Sequence, residues 1–288
     1  MVATKIVYDS IFTRFDGQGS VPAELDKMVS GRQQFYYPSN DNMISGYLYR
    51  SDTADPKDTL VVLAPGFEAG ADSYLWQISS LLDMGWSVFA FDATGCYSSE
   101  GDSSVGFAQE IIDLKSTISH IENNNRFGYN KIAIIGHSRG GYAACCVLNL
   151  EYDIAAVVSV GGVNSAMEGI MCSATDYIGP LAYGNYGFLW IYQASLFGAH
   201  TLNLSCDEEI EQSKTPVLIV HGASDEKIPL ERYSIISYKD SISSDNAEFL
   251  IWDEPNHDGH TNLLFDPNGK ANKELMNKIN DFLTKSIY

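Results

Sequence analysis

The chain has 288 residues, 45% of them hydrophobic and 19% charged, enough for one large α/β domain or two small ones. Its 18 basic and 37 acidic residues leave a net charge of −19, which argues against nucleic acid and anionic membrane surfaces as partners. No apolar run is long enough to span a bilayer, and the first residues show no secretory signal pattern. The five cysteines, Cys96, Cys145, Cys146, Cys172 and Cys206, match no zinc or disulfide spacing and read as reduced structural residues of a cytoplasmic protein.

In chain order, residues 1–30 read as irregular, with a short helix near Pro22 to Val29. Residues 33–50 read as two strands joined by a turn at Pro38 to Asn42. Leu60 to Ala64 is a buried strand, followed by the loop Pro65 to Gly70. A helix follows from Ser73 to Met84, with Leu75, Ile78, Leu81 and Leu82 on one face. Ser87 to Phe91 is a strand that ends in Asp92, and a Gly- and Ser-rich loop follows it. Cys96 lies in that loop, which is expected to reach the functional face of the sheet. A second amphipathic helix spans Phe107 to Asn123. Further strands are predicted at 154–160, 217–220 and 249–252, with helices at 230–238 and 272–285. Strands alternating with helices, several apolar on both faces, predict a mainly parallel sheet covered by helices.

Two stretches stand out. Between the strands at 154–160 and 217–220 lie far more residues than a crossover needs, rich in glycine and in Tyr177, Tyr183, Tyr186, Phe188, Trp190, Tyr192 and Phe197. This insertion reads as a helical cap over the functional face. The other stretch is Lys131 to Cys146, KIAIIGHSRGGYAACC, which reads as strand, tight turn and helix with Ser138 at the tip. Gly136 and Gly140 flank the serine where strand and helix pass too close for Cβ atoms.

A serine hydroxyl at such a turn needs a base, and the base needs an orienting acid. In open parallel sheets these collect past the carboxyl ends of strands. Asp225, just after PVLIV, is the best acid; its other reading is a helix N-cap for the segment near Pro229. The loop after the last strand offers His260, the preferred base, and His257. His221 reads as a hydrogen-bonded structural histidine, and His137 as packed in the turn. The backbone N–H groups of Arg139 and Phe67, with Glu68 as a further donor, suit a developing oxyanion. Glu68, Trp190 and Tyr183 are the candidate substrate contacts.

These motifs resemble the α/β-hydrolases, in the branch of serine aminopeptidases and monoglyceride-lipase-like enzymes that also holds many small esterases. The residues that carry the resemblance are Pro65 to Gly70, the run FDATGCYSSEG at 91–101, GHSRGG at 136–141, HGASD at 221–225, and Gly259-His260. It covers the chain from about residue 45 to the end. It implies Ser138 as nucleophile, Asp225 as acid, His260 as base, Phe67 and Arg139 as the oxyanion hole, and a cap between strands six and seven at 164–213. Asp92 and Gly95 then shape a loop beside the nucleophile. The usual His-Gly of the oxyanion loop is Pro65-Gly66 here, so the bonds of that histidine are missing. Residues 1–32 fall outside the resemblance, as an N-terminal extension to a core at 33–163 and 214–288.

The expected activity is hydrolysis of a carboxylic ester with a short-to-medium acyl or aryl group, through an acyl-enzyme. An aminopeptidase or amidase, an acyltransferase, and a non-catalytic ligand-binding domain are the alternatives. No cofactor and no metal are expected. The expected partner is a small-molecule ester or peptide-like substrate, not nucleic acid or membrane; homo-oligomerisation stays open.

Overall fold

Among the described residues eight strands lie in one sheet, numbered in chain order as β1 (Gln33–Ser39), β2 (Asn42–Tyr49), β3 (Thr59–Ala64), β4 (Ser87–Phe91), β5 (Lys131–His137), β6 (Ile154–Val160), β7 (Val217–Gly222) and β8 (Ala247–Trp252), and they are arranged β1-β2-β4-β3-β5-β6-β7-β8. The computed structural model describes residues 2–17, 21–124 and 127–288; the side chains of residues 2–4, 7 and 177 lie outside the description. Tyr177, one of the aromatics read from the sequence, is thereby left aside.

The chain opens with a helix, α1 (Val2–Ile11), followed by a 3₁₀ turn (Ala23–Leu25) and α2 (Asp26–Gly31). The expectation of an irregular start is corrected for α1. Its helicity rests on packing: Tyr8 and the following Phe12 are both buried against the sheet. A hairpin comes next, β1 (Gln33–Ser39) and β2 (Asn42–Tyr49), whose turn carries Asn40 at φ 49°. β2 pairs antiparallel with β4, so the hairpin closes one edge of the sheet.

The remaining strands are parallel. β3 (Thr59–Ala64), α3 (Leu75–Asp83), β4 (Ser87–Phe91), α4 (Gln109–Glu122), β5 (Lys131–His137) and α5 (Arg139–Cys146) alternate as the sequence predicts. β6 (Ile154–Val160), β7 (Val217–Gly222), β8 (Ala247–Trp252) and the closing helix α10 (Lys273–Ile287) complete the order. All six residues of β3 are buried, because helices cover both faces. Leu60 and Val62 point to the side of α4 and α5, Val61 and Leu63 to that of α3 and α10. The helix expected at 230–238 is instead a 3₁₀ turn at Ile235–Ser241, after a segment that includes Pro229.

Between β6 and β7 stands the insertion: α6 (Ala166–Ile178), a 3₁₀ stretch (Gly179–Asn185), α7 (Tyr186–Phe197), α8 (Ala199–Leu202) and α9 (Cys206–Gln212). Among the described residues no helix is long and apolar enough to cross a membrane. All five cysteines are free and buried. Cys96 is fully buried: it pairs with Phe15 in an isolated bridge, and burial pushes its thiol up to about 11.

Candidate active site

Ser138 sits between β5 and α5 with φ 56° and ψ −118°, a backbone conformation that a non-glycine residue rarely holds. Such a residue costs on the order of 1–3 kcal/mol, which the surrounding packing must supply. That packing is visible in the flanking glycines. A Cβ on Gly136 would lie 2.1 Å from Gly140 O, and one on Gly140 would lie 2.2 Å from Ala64 O. Helix, turn and neighbouring strand are therefore in backbone contact, and Ser138 N–H is tied to Val160 O at 2.8 Å. The strain aims the hydroxyl off the carboxyl edge of the sheet.

His260 follows β8 and reaches back to that hydroxyl. Its Nε2 is 2.9 Å from Ser138 Oγ, and its Nδ1 is 2.7 Å from Asp225 Oδ2. Asp225 is a carboxylate, so Nδ1 carries the proton and Nε2 is left to accept from the serine. Burial works to raise the Asp225 carboxyl, but the hydrogen bonds of His221 and His260 outweigh it and hold it well below the usual range. Its other oxygen, Oδ1, accepts the N–H groups of Lys227 at 2.9 Å and Ile228 at 2.8 Å. Oδ1 thus closes the turn at 225–228, and among the described residues no helix begins near Pro229 for it to cap. His257 lies elsewhere in the loop, its Nδ1 2.7 Å from Phe265 O.

His221 does more than pack. Its single Nε2–H is shared between Ile228 O at 2.9 Å and Asp225 Oδ2 at 3.2 Å, so two histidines donate to one carboxylate. Nothing in the linear sequence except the four-residue spacing of His221 and Asp225 hints at this.

The loop after β3 lacks the usual histidine, and two other residues hold it. Gly66 N–H donates to Tyr74 Oη at 2.9 Å, and Tyr74 Oη is 3.0 Å from His137 Nδ1. His137 Nε2 lies 3.1 Å from His260 O. A carbonyl can only accept, so Nε2 is the protonated nitrogen and Nδ1 accepts from the tyrosine. Every bond in this chain then has one donor and one acceptor. It links the loop after β3 to the loop that carries His260, directly behind Ser138. Burial, helped by the nearby His260 ring, pushes His137 down to about 3, so it stays neutral. The departure of Pro65 from the usual pattern was the one sequence signal that a substitute partner must exist.

Arg139 opens α5, and its N–H is among the first-turn donors that no intrahelical carbonyl takes. Its guanidinium turns inward, with Nη2 2.8 Å from Glu110 Oε2, both side chains buried. Burial pushes the Glu110 carboxyl up against the pull of Arg139. The same guanidinium stands 5.7 Å from the Phe67 ring centre. The side chains of the two residues named as oxyanion donors are thus packed together.

Ser138 and His260 open into a cavity of about 510 Å³. Gly66, Phe67 and Glu68 of the loop after β3 line it. From the insertion it takes Gly169, Cys172, Ser173 and Asp176, all on α6. Trp190 and Tyr183 do not line it, which corrects both as substrate contacts. Trp190 Nε1 donates to Asn203 Oδ1 at 3.1 Å, and Tyr183 Oη pairs with Tyr233 Oη at 3.1 Å. The aromatic-rich part of the insertion faces away, and its less conspicuous first helix faces the serine. Sequence reading also missed Phe107, Lys227 and Ile11 in the wall. Among the described residues no group of three or more His, Cys, Asp or Glu side chains is arranged to hold a metal ion.

Comparison with known proteins agrees with the architecture. Residues 55–174 match the serine aminopeptidase family model. A lysophosphatidylserine lipase of Danio rerio is 23% identical over 220 residues, 74% of this chain and 54% of that protein. The chain therefore spans about half the length of that relative. An esterase of Pyrococcus furiosus is similar in structure, with a TM-score of 0.70 and 19% identity over 96% of this chain and 100% of its own. An alpha/beta hydrolase of Penicillium has a TM-score of 0.65 and 16% identity over 89% and 99%. An acylaminoacyl peptidase of Pyrococcus horikoshii gives 0.62 and 16% over 89% of this chain and 42% of its own. All of these are hydrolases by name, and at these identities the structural likeness establishes the fold.

Proposed function

We propose that this chain, which has the α/β-hydrolase fold, is a serine hydrolase of carboxylic esters. The observation that carries the reading is the unbroken chain Ser138 Oγ, His260, Asp225 at 2.9 and 2.7 Å on the floor of a cavity. His260 Nε2 takes the Ser138 proton as Oγ attacks the acyl carbonyl. Asp225 holds the imidazole in the required tautomer and balances the imidazolium that forms. The oxyanion rests on the N–H groups of Phe67 and Arg139. His260 then protonates the leaving alcohol, and the acyl-serine is opened by water with His260 as base. The insertion acts as a cap through α6, and the mixed lining favours an apolar or aryl acyl group. The free thiols support a cytoplasmic setting.

A second reading has one observation behind it. Glu68 and Asp176 both line the cavity and could anchor a free amine, as an aminopeptidase needs. The test is a p-nitrophenyl ester series beside an aminoacyl anilide series. Ser138→Ala and His260→Ala are expected to cut ester turnover by about 10⁴-fold or more, with His257→Ala near wild type. Ester turnover that survives Ser138→Ala removes the serine from its role. Anilide turnover without ester turnover selects the second reading.

A further inference from the structure

One wall of the cavity comes from outside the hydrolase core. Ile11, the last residue of α1, lines the space above Ser138 together with Phe67 and Phe107. The next residue, Phe12, is 2% exposed, and its ring stands edge-on to Phe67 at 5.4 Å and to Phe107 at 6.4 Å. Phe107 in turn meets α6 where Gly169 leaves room: a Cβ there would come within 2.4 Å of the Phe107 ring. These contacts make one continuous apolar surface on the side of the oxyanion loop.

The segment is held in place along its length. Tyr8 Oη donates to Val105 O at 2.6 Å, and its ring stacks on Phe12 at 4.4 Å. Tyr192 of α7 reaches Asp9 Oδ1 at 2.8 Å and stands edge-on to Tyr8 at 5.3 Å. Phe15 joins the loop after β4 through its N–H to Gly95 O and the Tyr97 N–H to Phe15 O, both 2.9 Å. The Arg14 guanidinium donates to the carbonyls of Tyr97, Ser99 and Gly101 at 2.8–2.9 Å. An element anchored at this many points behaves as part of the binding wall.

We propose that the N-terminal segment Tyr8–Phe15 is the acyl-side wall of the pocket and that Ile11 is the residue that sets the length of acyl chain accepted. The inference rests on Ser138 being the nucleophile. It assigns the apolar end of the cavity to the acyl group. The polar side, with Asp176 and Lys227, is left to the leaving alcohol. An aliphatic side chain at position 11 meets the chain end; a larger one excludes it and a smaller one admits more.

The experiment is kcat/KM across p-nitrophenyl esters from acetate to laurate for wild type, Ile11→Ala, Ile11→Trp and Ile6→Ala. Ile6 is on the same helix and 63% exposed, so its variant controls for helix disturbance. Ile11→Trp is expected to lower octanoate relative to acetate by about tenfold or more, and Ile11→Ala to move the optimum to longer chains, at about tenfold for each methylene gained or refused. Ile6→Ala keeps the wild-type profile. Labelling rates with a short-chain and a long-chain alkyl fluorophosphonate give the same comparison without turnover. Identical chain-length profiles in all four proteins, with Ser138 still labelled, overturn the assignment of Ile11 while leaving the hydrolase reading intact. Absence of both turnover and labelling in wild type overturns both.

Discussion

At the scale of single residues, the shared carboxylate of Asp225 invites the sharpest test. A hydrogen bond to a charged group is worth about 1.5–3 kcal/mol, and Asp225 Oδ2 faces two histidines. His221 touches Asp225 and no part of the cavity, so in the proposed mechanism it is a positioning residue. His221→Phe is expected to lower kcat about tenfold with KM little changed, because the carboxylate loses a donor and gains freedom to turn. His221→Gln, whose amide can place an N–H near the Nε2 position, is expected to restore most of the loss. A Phe variant with wild-type kcat leaves His221 a packing residue. The sequence made Ser138, Asp225 and His260 legible because each stands just past a strand, at a place defined by chain order. It left His257 open as a base, and the structure puts that side chain on Phe265 O instead. Trp190 and Tyr183 were illegible as non-contacts, since a run of aromatics does not say which face of an inserted helix meets the core.

At the scale of elements, the turn around Ser138 shows how a local pattern can encode tertiary contact. Gly140 is a glycine because the helix rests on the backbone of β3, with 2.2 Å between a would-be Cβ and Ala64 O. Gly140→Ala is therefore expected to cost about 3 kcal/mol or more, since neither partner is a flexible side chain that could move aside. Gly184→Ala is the control, with nothing within 4 Å of its would-be Cβ. Urea midpoints measure both; equal midpoints would mean that α5 can shift without loss. The strands and helices of the core were legible for a related reason, because buried parallel strands and one-faced helices carry strong periodicity. Helix α1 was not. It has ten residues, and such a length is marginal as a helix in water. Its structure depends on Tyr8 and Phe12 finding Val105, Tyr192, Phe67 and Phe107, which lie about 55 residues or more away in sequence. The same partners place it at the cavity, so what hid the helix also hid its role.

At the scale of the whole molecule, two buried groups make the fold respond to pH in opposite directions. Burial pushes Asp92 up to about 6, although it accepts from the N–H groups of Ala71 and Ser98 and from Tyr47 Oη. Between about pH 4 and 6 the folded chain keeps a proton there that the unfolded chain has released. Its stabilising contribution is full below pH 4 and lost as pH rises to 6. His137 is pushed down to about 3, so below about pH 6.5 the unfolded chain takes up a proton that the folded chain refuses. That contribution is full above pH 6.5 and lost as pH falls. Over pH 4.5–6 the two slopes oppose one another, each up to about 1.4 kcal/mol per pH unit. The 37 acidic residues add a background that variant-minus-wild-type differences remove. Asp92→Asn is expected to make unfolding free energy rise more steeply with pH across this window. His137→Gln is expected to turn the slope the other way by a similar amount, while also loosening the link between the Gly66 and His260 loops. Urea unfolding at half-unit pH steps resolves the sign. Curves for both variants that run parallel to wild type would show that neither group differs in protonation between the folded and unfolded chain, and that the buried network behind Ser138 titrates as if exposed to solvent.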